Sequence, residues 1–277
     1  MENMKSGLVR SFAEFGKRAL GVSKRAHAPE ARGSCFSSAL SGQWYDRVIL
    51  SPGTVGRLAT SEGVHRAVNE MLGRLEPDDY LRFVHAYYQE GLQRYGGFWV
   101  YADILSVLTA SSMLLRPESY LEIGVRRGRS IAAVLAATPG CDVVGFDLWV
   151  DDYAGMTNPG PEFVRSEVGK LRADGQLELV SGSSALTVPR YFHEHPDLYL
   201  DLITVDGDHT ARGAIEDLCN VRTRLKLGGV LVFDDIAHPH HPDLRDVWVR
   251  EIVRSPMFRT WEFCDLGFGI GVAVRVS

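Results

Sequence analysis

Short apolar runs rich in β-branched residues recur along the second half of this chain, and several end on an acid. Glu122 lies in SYLEIGVRRGRS, Asp147 closes DVVGFD, Asp206 follows LITV, and Asp234 with Asp235 follows VLVF. Segments with helical periodicity separate these runs, an alternation that builds a mainly parallel sheet with helices on both faces. In such a sheet the carboxyl ends of the strands form the binding crevice, so the acids are expected to converge there.

The pattern predicts strands at Ser119 to Ile123, Asp142 to Asp147, Leu177 to Ser181, Leu200 to Asp206 and Gly229 to Asp234. Helices are expected at Arg129 to Ala137, Pro161 to Ala173, Leu186 to Glu194, Ala211 to Leu225 and Asp243 to Ser255. Phe258 to Cys264 and Phe268 to Val276, joined through Asp265 to Gly267, read as a terminal antiparallel hairpin at the sheet edge. The expected fold class is therefore α/β, a doubly wound seven-stranded sheet with an N-terminal helical extension.

Two regions follow from this reading: an accessory region over 1–115 and a core over 116–277. In the first, residues 1–32 suggest a basic amphipathic arm that packs as a lid or oligomer contact. A disordered tail and a membrane-surface helix are alternatives. Gly33 to Gly56 reads as a mobile connection or substrate loop, with a short extended patch at Arg47 to Leu50. Helical spacing then runs from Ser61, resumes after Pro77, and is expected again from Trp99 to Leu115.

With 277 residues, 45% of them hydrophobic, the chain can bury one substantial core. Its net charge of -5 gives no electrostatic case for a nucleic-acid surface. The sequence offers neither a transmembrane run nor a convincing secretory leader. Cys35, Cys141, Cys219 and Cys264 are too scattered for a paired metal motif, so the expectation is a reducing cytoplasm without required disulfides.

Gly124 and Gly128 in EIGVRRGRS permit a close turn between strand and helix, at a place where a side chain would obstruct a ligand; Ser130 can start or cap that helix. The sequence departs from GxGxxG and has no GKS or GKT, which argues against a nicotinamide dehydrogenase or an ATPase. Glu122 is costly to bury alone, so it is expected to contact a cationic amino acid portion directly or through water. Asp147 is placed to accept from ribose hydroxyls. An acid pair of this kind suits S-adenosylmethionine (SAM) better than a phosphate-rich ligand.

Asp206, Asp234 and Asp235 would repel one another without a cation, and hard oxygen donors favour Mg²⁺, with Mn²⁺ not distinguished by spacing. Solvated strand-end carboxylates are the plainer alternative. His209, three residues beyond Asp206, can take a proton from a hydroxyl, with Asp208 as an alternative base or as an orienting group. Trp149, Asp151, Asp152 and Tyr153 are candidates for an acceptor wall, or for a core and lid.

The glycine turn with Asp147 resembles class I SAM-dependent methyltransferases. Two further stretches, YLDLITVDGDHTARGAIED at 199–217 and GGVLVFDDI at 228–236, narrow the likeness to the metal-dependent macrocin and mycinamicin O-methyltransferase group, with its cephalosporin hydroxylase-like relatives. The likeness covers about Ser119 to Ser277. It implies a Rossmann-like core, with Glu122, Gly124, Gly128, Ser130 and Asp147 around SAM and Ser183 or Ser184 near adenine. It also implies metal binding by Asp206, Asp234 and Asp235, and a catalytic role for His209.

The reaction so implied is methyl transfer to a hydroxyl of a small molecule, one that carries a sugar in that family; separately, the accessory helices are expected to support a homo-oligomer. Two other readings stay open. His238, His240 and His241 with an aspartate invite a nonheme-iron hydroxylase, and a nonenzymatic interaction protein could retain the same fold.

Overall fold

The computed structural model describes residues 37–38, 42–43, 48–152 and 157–277. The basic arm at 1–32, Cys35 and Tyr153 fall outside them. A short antiparallel pairing joins Ser37–Ser38 to Gly42–Gln43. Helices α1 (Pro52–Ala59), α2 (Glu62–Leu72), α3 (Asp79–Tyr95) and α4 (Ile104–Leu115) follow. The rest of the chain alternates as expected: β1 (Ser119–Ile123), α5 (Arg129–Ala137), β2 (Asp142–Asp147), α6 (Pro161–Gly169), β3 (Leu177–Ser181), α7 (Ser184–Glu194), β4 (Leu200–Val205), α8 (Ala211–Val221), β5 (Leu225–Asp234), α9 (Asp243–Trp248), β6 (Phe258–Phe263) and β7 (Ile270–Arg275).

Seven strands form one sheet in the order β3-β2-β1-β4-β5-β7-β6. All pairs are parallel except those of β7, which runs antiparallel to β5 and β6. The order reverses between β1 and β4, and that switch point opens a crevice at the strand ends.

Alternation along the strands divides the core into two layers. Tyr120, Val143, Leu202, Val230, Val232, Val272 and Val274 face one side, where they pack with helices α1 to α5. Leu121, Ile123, Val144, Phe146, Ile203, Val205, Leu231 and Phe233 face the other, against α7, α8 and α9. The accessory helices thus share one hydrophobic cluster with the sheet. Helix α4 is buried along most of its length, which explains why ILSVLTASSMLL is apolar on nearly every side.

Several boundaries differ from the sequence reading. Residues 52–56 are not a loop: Ser51 is in extended conformation at the N-cap and Pro52 supplies the fixed φ that starts α1. The helix expected from Trp99 begins only at Ile104. The Asp103 carboxylate accepts from Ser106 N at 2.9 Å, and Ser106 Oγ accepts from Asp103 N at 3.0 Å, a reciprocal cap that fixes the start. Trp99 and Tyr101, two residues apart on extended chain, stack instead with centroids 5.1 Å apart. Helix α8 ends at Val221, and β5 begins at Leu225, four residues earlier than expected.

Candidate active site

A cavity of about 330 Å³ opens over the ends of β1, β2, β3 and β4. The glycine turn forms one wall. Gly124 has φ +94°, and a Cβ there would lie 1.8 Å from the Asp206 carbonyl oxygen. Gly128 has φ +72°, and its Cβ would meet Val164 at 2.8 Å. Both glycines are therefore demanded by the chain's packing against itself, a reason more immediate than clearance for a ligand.

The Asp147 carboxylate fixes the two loops around this wall. It accepts from Arg126 N at 2.6 Å, Trp149 N at 2.5 Å and Asn158 Nδ2 at 3.2 Å. Arg126 and Trp149 both have positive φ, and these bonds offset the strain of holding non-glycine residues there. Asp147 lines the cavity with Leu148 and Val150, which supply its apolar side. Trp149 does not join them. Its indole N–H donates to Ser181 Oγ at 2.9 Å and its ring packs on the core, the alternative to an acceptor wall that the sequence left open for it. Asp151 accepts from Asp152 N and Asn158 N, closing the same loop.

Glu122 sits behind the wall, fully buried. Tyr120 donates to it at 2.6 Å and Ser130 Oγ donates to its other oxygen. Burial pushes its carboxyl up to about 8. Glu122, Gly128 and Ser130 lie behind the cavity lining, an arrangement in keeping with the indirect of the two contacts expected for Glu122. Its alternation partner Tyr120 also lies 2.9 Å from Thr204 Oγ1, which makes a buried polar network beneath the turn.

Ser183 and Ser184 line the opposite side, with Glu216 and Asp217 of α8. Sequence reasoning missed the two acids. Burial pushes the Asp217 carboxyl up to about 6. Asp208 also lines the cavity, but its Oδ1 accepts from Thr210 N at 2.8 Å at the start of α8.

Beside the cavity, which Asp206 and His209 line, ligand atoms of Asp206, His209 and Asp235 all lie within 4.8 Å of one another. His209 Nε2 is 3.4 Å from Asp206 Oδ1 and 3.5 Å from Asp235 Oδ2. Asp235 has φ +61°, an uncommon backbone state for a residue 9% exposed. Its carboxyl is raised to about 7 by burial and by the charge of Asp206. Asp234 is raised well above the usual carboxylate range, first by loss of water and then by Asp206 and Asp235. The side-chain bond to Asp206 raises His209. Asp234 and Asp235, both held back from ionising beside Asp206 and one imidazole, fit a site for a divalent cation, which would relieve the repulsion.

The sequence-predicted residues Asp206 and Asp235 thus meet. Asp234 contributes its field without joining the close group, and His209, expected as a base alone, stands among the donors. His238 and His241 stack with centroids 4.7 Å apart, and His241 reaches His209 at 4.9 Å. Among the described residues, however, the metal-capable group contains none of the HPHH histidines. The two-histidine iron arrangement is not formed.

Residues 121–236 match the family model described as a methyltransferase domain. The O-methyltransferase TomG from Streptomyces achromogenes, involved in tomaymycin synthesis and solved with SAM, aligns at 18% identity and a TM-score of 0.52, over 73% of this chain and 92% of that one. An O-methyltransferase from Bacillus cereus, solved with SAH (S-adenosylhomocysteine), aligns at 17% identity and a TM-score of 0.51, over 72% and 92%. No curated protein sequence matches the chain. The strand order and the crevice at its switch point are those of the Rossmann-like fold these two O-methyltransferases share, and within that fold residues 121–236 match a methyltransferase domain.

Proposed function

We propose that the protein transfers a methyl group from SAM to a hydroxyl oxygen of a small molecule, with a divalent cation beside the cavity at Asp206 and Asp235. The carrying observation is adjacency: the cavity at the strand ends runs directly onto Asp206 and His209, which stand beside Asp235. SAM supplies the electrophilic methyl when bound. The apolar faces of Leu148 and Val150 suit its adenine, Ser183 and Ser184 suit the ring edge, and Asp147 suits the ribose. Glu122 acts from beneath the turn, organising it through Ser130 rather than touching the ligand.

Asp206 and Asp235 are the residues that would hold the cation, with Asp234 adding negative potential. Such an ion lowers the pKa of a nearby hydroxyl. His209 Nε2 lies 3.4 Å from Asp206 and 3.5 Å from Asp235, where it donates to their carboxylates; with those oxygens engaged by a cation, its lone pair would be free to accept the hydroxyl proton. Asp208 is turned to Thr210 and serves the loop that carries His209. Methylation of an amine would make no use of this acidic group, which favours oxygen as the acceptor atom. A sugar hydroxyl, Mg²⁺ as the ion, a homo-oligomeric enzyme and a cytoplasmic setting complete the reading. Among the described residues no helix is long and apolar enough to cross a membrane.

Calorimetry with SAH, followed by transfer of isotopically labelled methyl to a panel of hydroxylated small molecules with and without EDTA, tests the assignment. SAH binding with chelator-sensitive transfer is expected. SAH binding with transfer indifferent to EDTA would overturn the metal's role, and no SAH binding would overturn the function.

A further inference from the structure

We infer that Asp78, from the accessory helices, is a positioning residue for the cofactor turn; the inference rests on the methyl-transfer reading above. Arg127 and Arg129 flank Gly128 in that turn, and both side chains converge on the one Asp78 carboxylate. Arg127 Nε lies 3.0 Å from Oδ2, and Arg129 Nη2 lies 2.6 Å from Oδ2 and 2.7 Å from Oδ1. Asp78 Oδ1 also accepts Leu81 N at 2.7 Å, so the carboxylate is fixed on the first turn of α3.

The two arginine side chains are only 9% and 13% exposed, too buried to leave uncompensated, so each needs its anion. Arg127 extends the clamp further. Its Nη1 donates to Thr157 Oγ1 at 2.9 Å, and its guanidinium lies 4.3 Å from the Phe163 ring centroid. Arg129 lies over Tyr80 at 5.2 Å. One carboxylate therefore ties together α3, the glycine turn and the approach to α6.

The turn it holds is strained at Arg126, with φ +52°, and left-handed at Gly128. Asp147 pins the cavity side of the turn through Arg126 N, and Asp78 pins its outer side through the two guanidinium groups. Removing Asp78 leaves two like charges side by side with nothing between them. The turn's relaxed state then lies away from the cofactor geometry, and each binding event must restore it.

Calorimetry with SAH and backbone amide exchange test this on Asp78→Asn and Asp78→Glu. Asp78→Asn is expected to weaken SAH at least tenfold and to speed exchange within 124–129, with partial rescue in Asp78→Glu. Wild-type affinity in a folded Asp78→Asn, with faster exchange confined to α3, would overturn the inference by showing that the carboxylate only caps that helix. Should Asp78→Asn fail to fold, Arg127→Lys and Arg129→Lys decide, since each keeps the charge but loses the fork: weaker SAH binding supports the clamp, and unchanged binding overturns it. Wild-type protein that binds no SAH would instead overturn the functional reading, and this inference with it.

Discussion

Gly124 and Asp206 meet backbone to backbone: a Cβ on the first would stand 1.8 Å from the carbonyl oxygen of the second. The contact is reinforced next door, where Asp206 N donates to Ile123 O at 2.9 Å. The cofactor turn and the first acid of the cation group therefore form one rigid junction. A shift in either is transmitted to the other at van der Waals distance.

The Gly124→Ala variant is the direct test of that junction. Overlap with the carbonyl and a positive φ act together, so a loss of stability on the order of 3 kcal/mol is expected. Denaturant unfolding reads it, and the folded fraction should lose SAH and cation binding in parallel. Loss of one without the other would show the two sites to be independent.

Cation binding should appear in thermal melts. A saturating divalent ion stabilises only the folded state, and at a hundred times Kd it contributes about 2.7 kcal/mol, which raises Tm by about 5 °C or more for a chain of this size. Asp206→Asn and Asp235→Asn are expected to abolish that rise. Asp234→Asn should retain part of it and should be more stable than wild type without metal, because it removes one repelling carboxylate.

His209 can be assigned by separating rate from affinity. As a base it contributes about 10²- to 10⁴-fold to the chemical step. The His209→Gln variant is then expected to lose that much in kcat while its cation affinity, read by the same melts, falls less than threefold. A loss of cation affinity equal to that of Asp206→Asn would make it a ligand instead.

Glu122 has a pH signature. Its folded carboxyl titrates at about 8, above the 4.5 of an unperturbed glutamate, so between those values the folded chain keeps a proton that the unfolded chain releases. Stability must then fall as pH rises through that window, by at most about 1.4 kcal/mol per pH unit for this one group. Glu122→Gln has no such proton to release. Its Tm should depend less on pH between 5 and 8 than that of the wild type, and equal slopes would contradict the buried, largely protonated state.

Periodicity and turn chemistry made the fold legible. The bounds of β1, β2, β3 and α5 follow from their apolar runs and their glycine borders as the sequence implies. Less legible was the start of α4, because Tyr101 keeps helical spacing with Leu105 and Leu108, yet Trp99 and Tyr101 are drawn into an extended stack by contacts with residues far away, such as His65 Nε2 at the Tyr101 carbonyl oxygen at 2.9 Å. Trp149, read as either acceptor wall or core, goes to the core for a similar reason: it is large and polar at one end, and Ser181 on the neighbouring strand captures it.

By itself the sequence determined which residues stand at the carboxyl ends of strands, because strand runs and the acids that close them are local. Tertiary structure alone decided which of those acids meet. Asp206 and Asp235 each directly follow the parallel neighbours β4 and β5, but the left-handed backbone at Asp235 and the 3.4 Å approach of His209 to Asp206 set the group's membership. Asp78 shows the same division: the helical spacing that resumes after Pro77 is local, while the pairing of Asp78 with Arg127 and Arg129 spans about fifty residues of chain and arises only when α3 packs beside the turn. Local preference fixes conformation, and charge pairing across the fold depends on distances that no local pattern encodes.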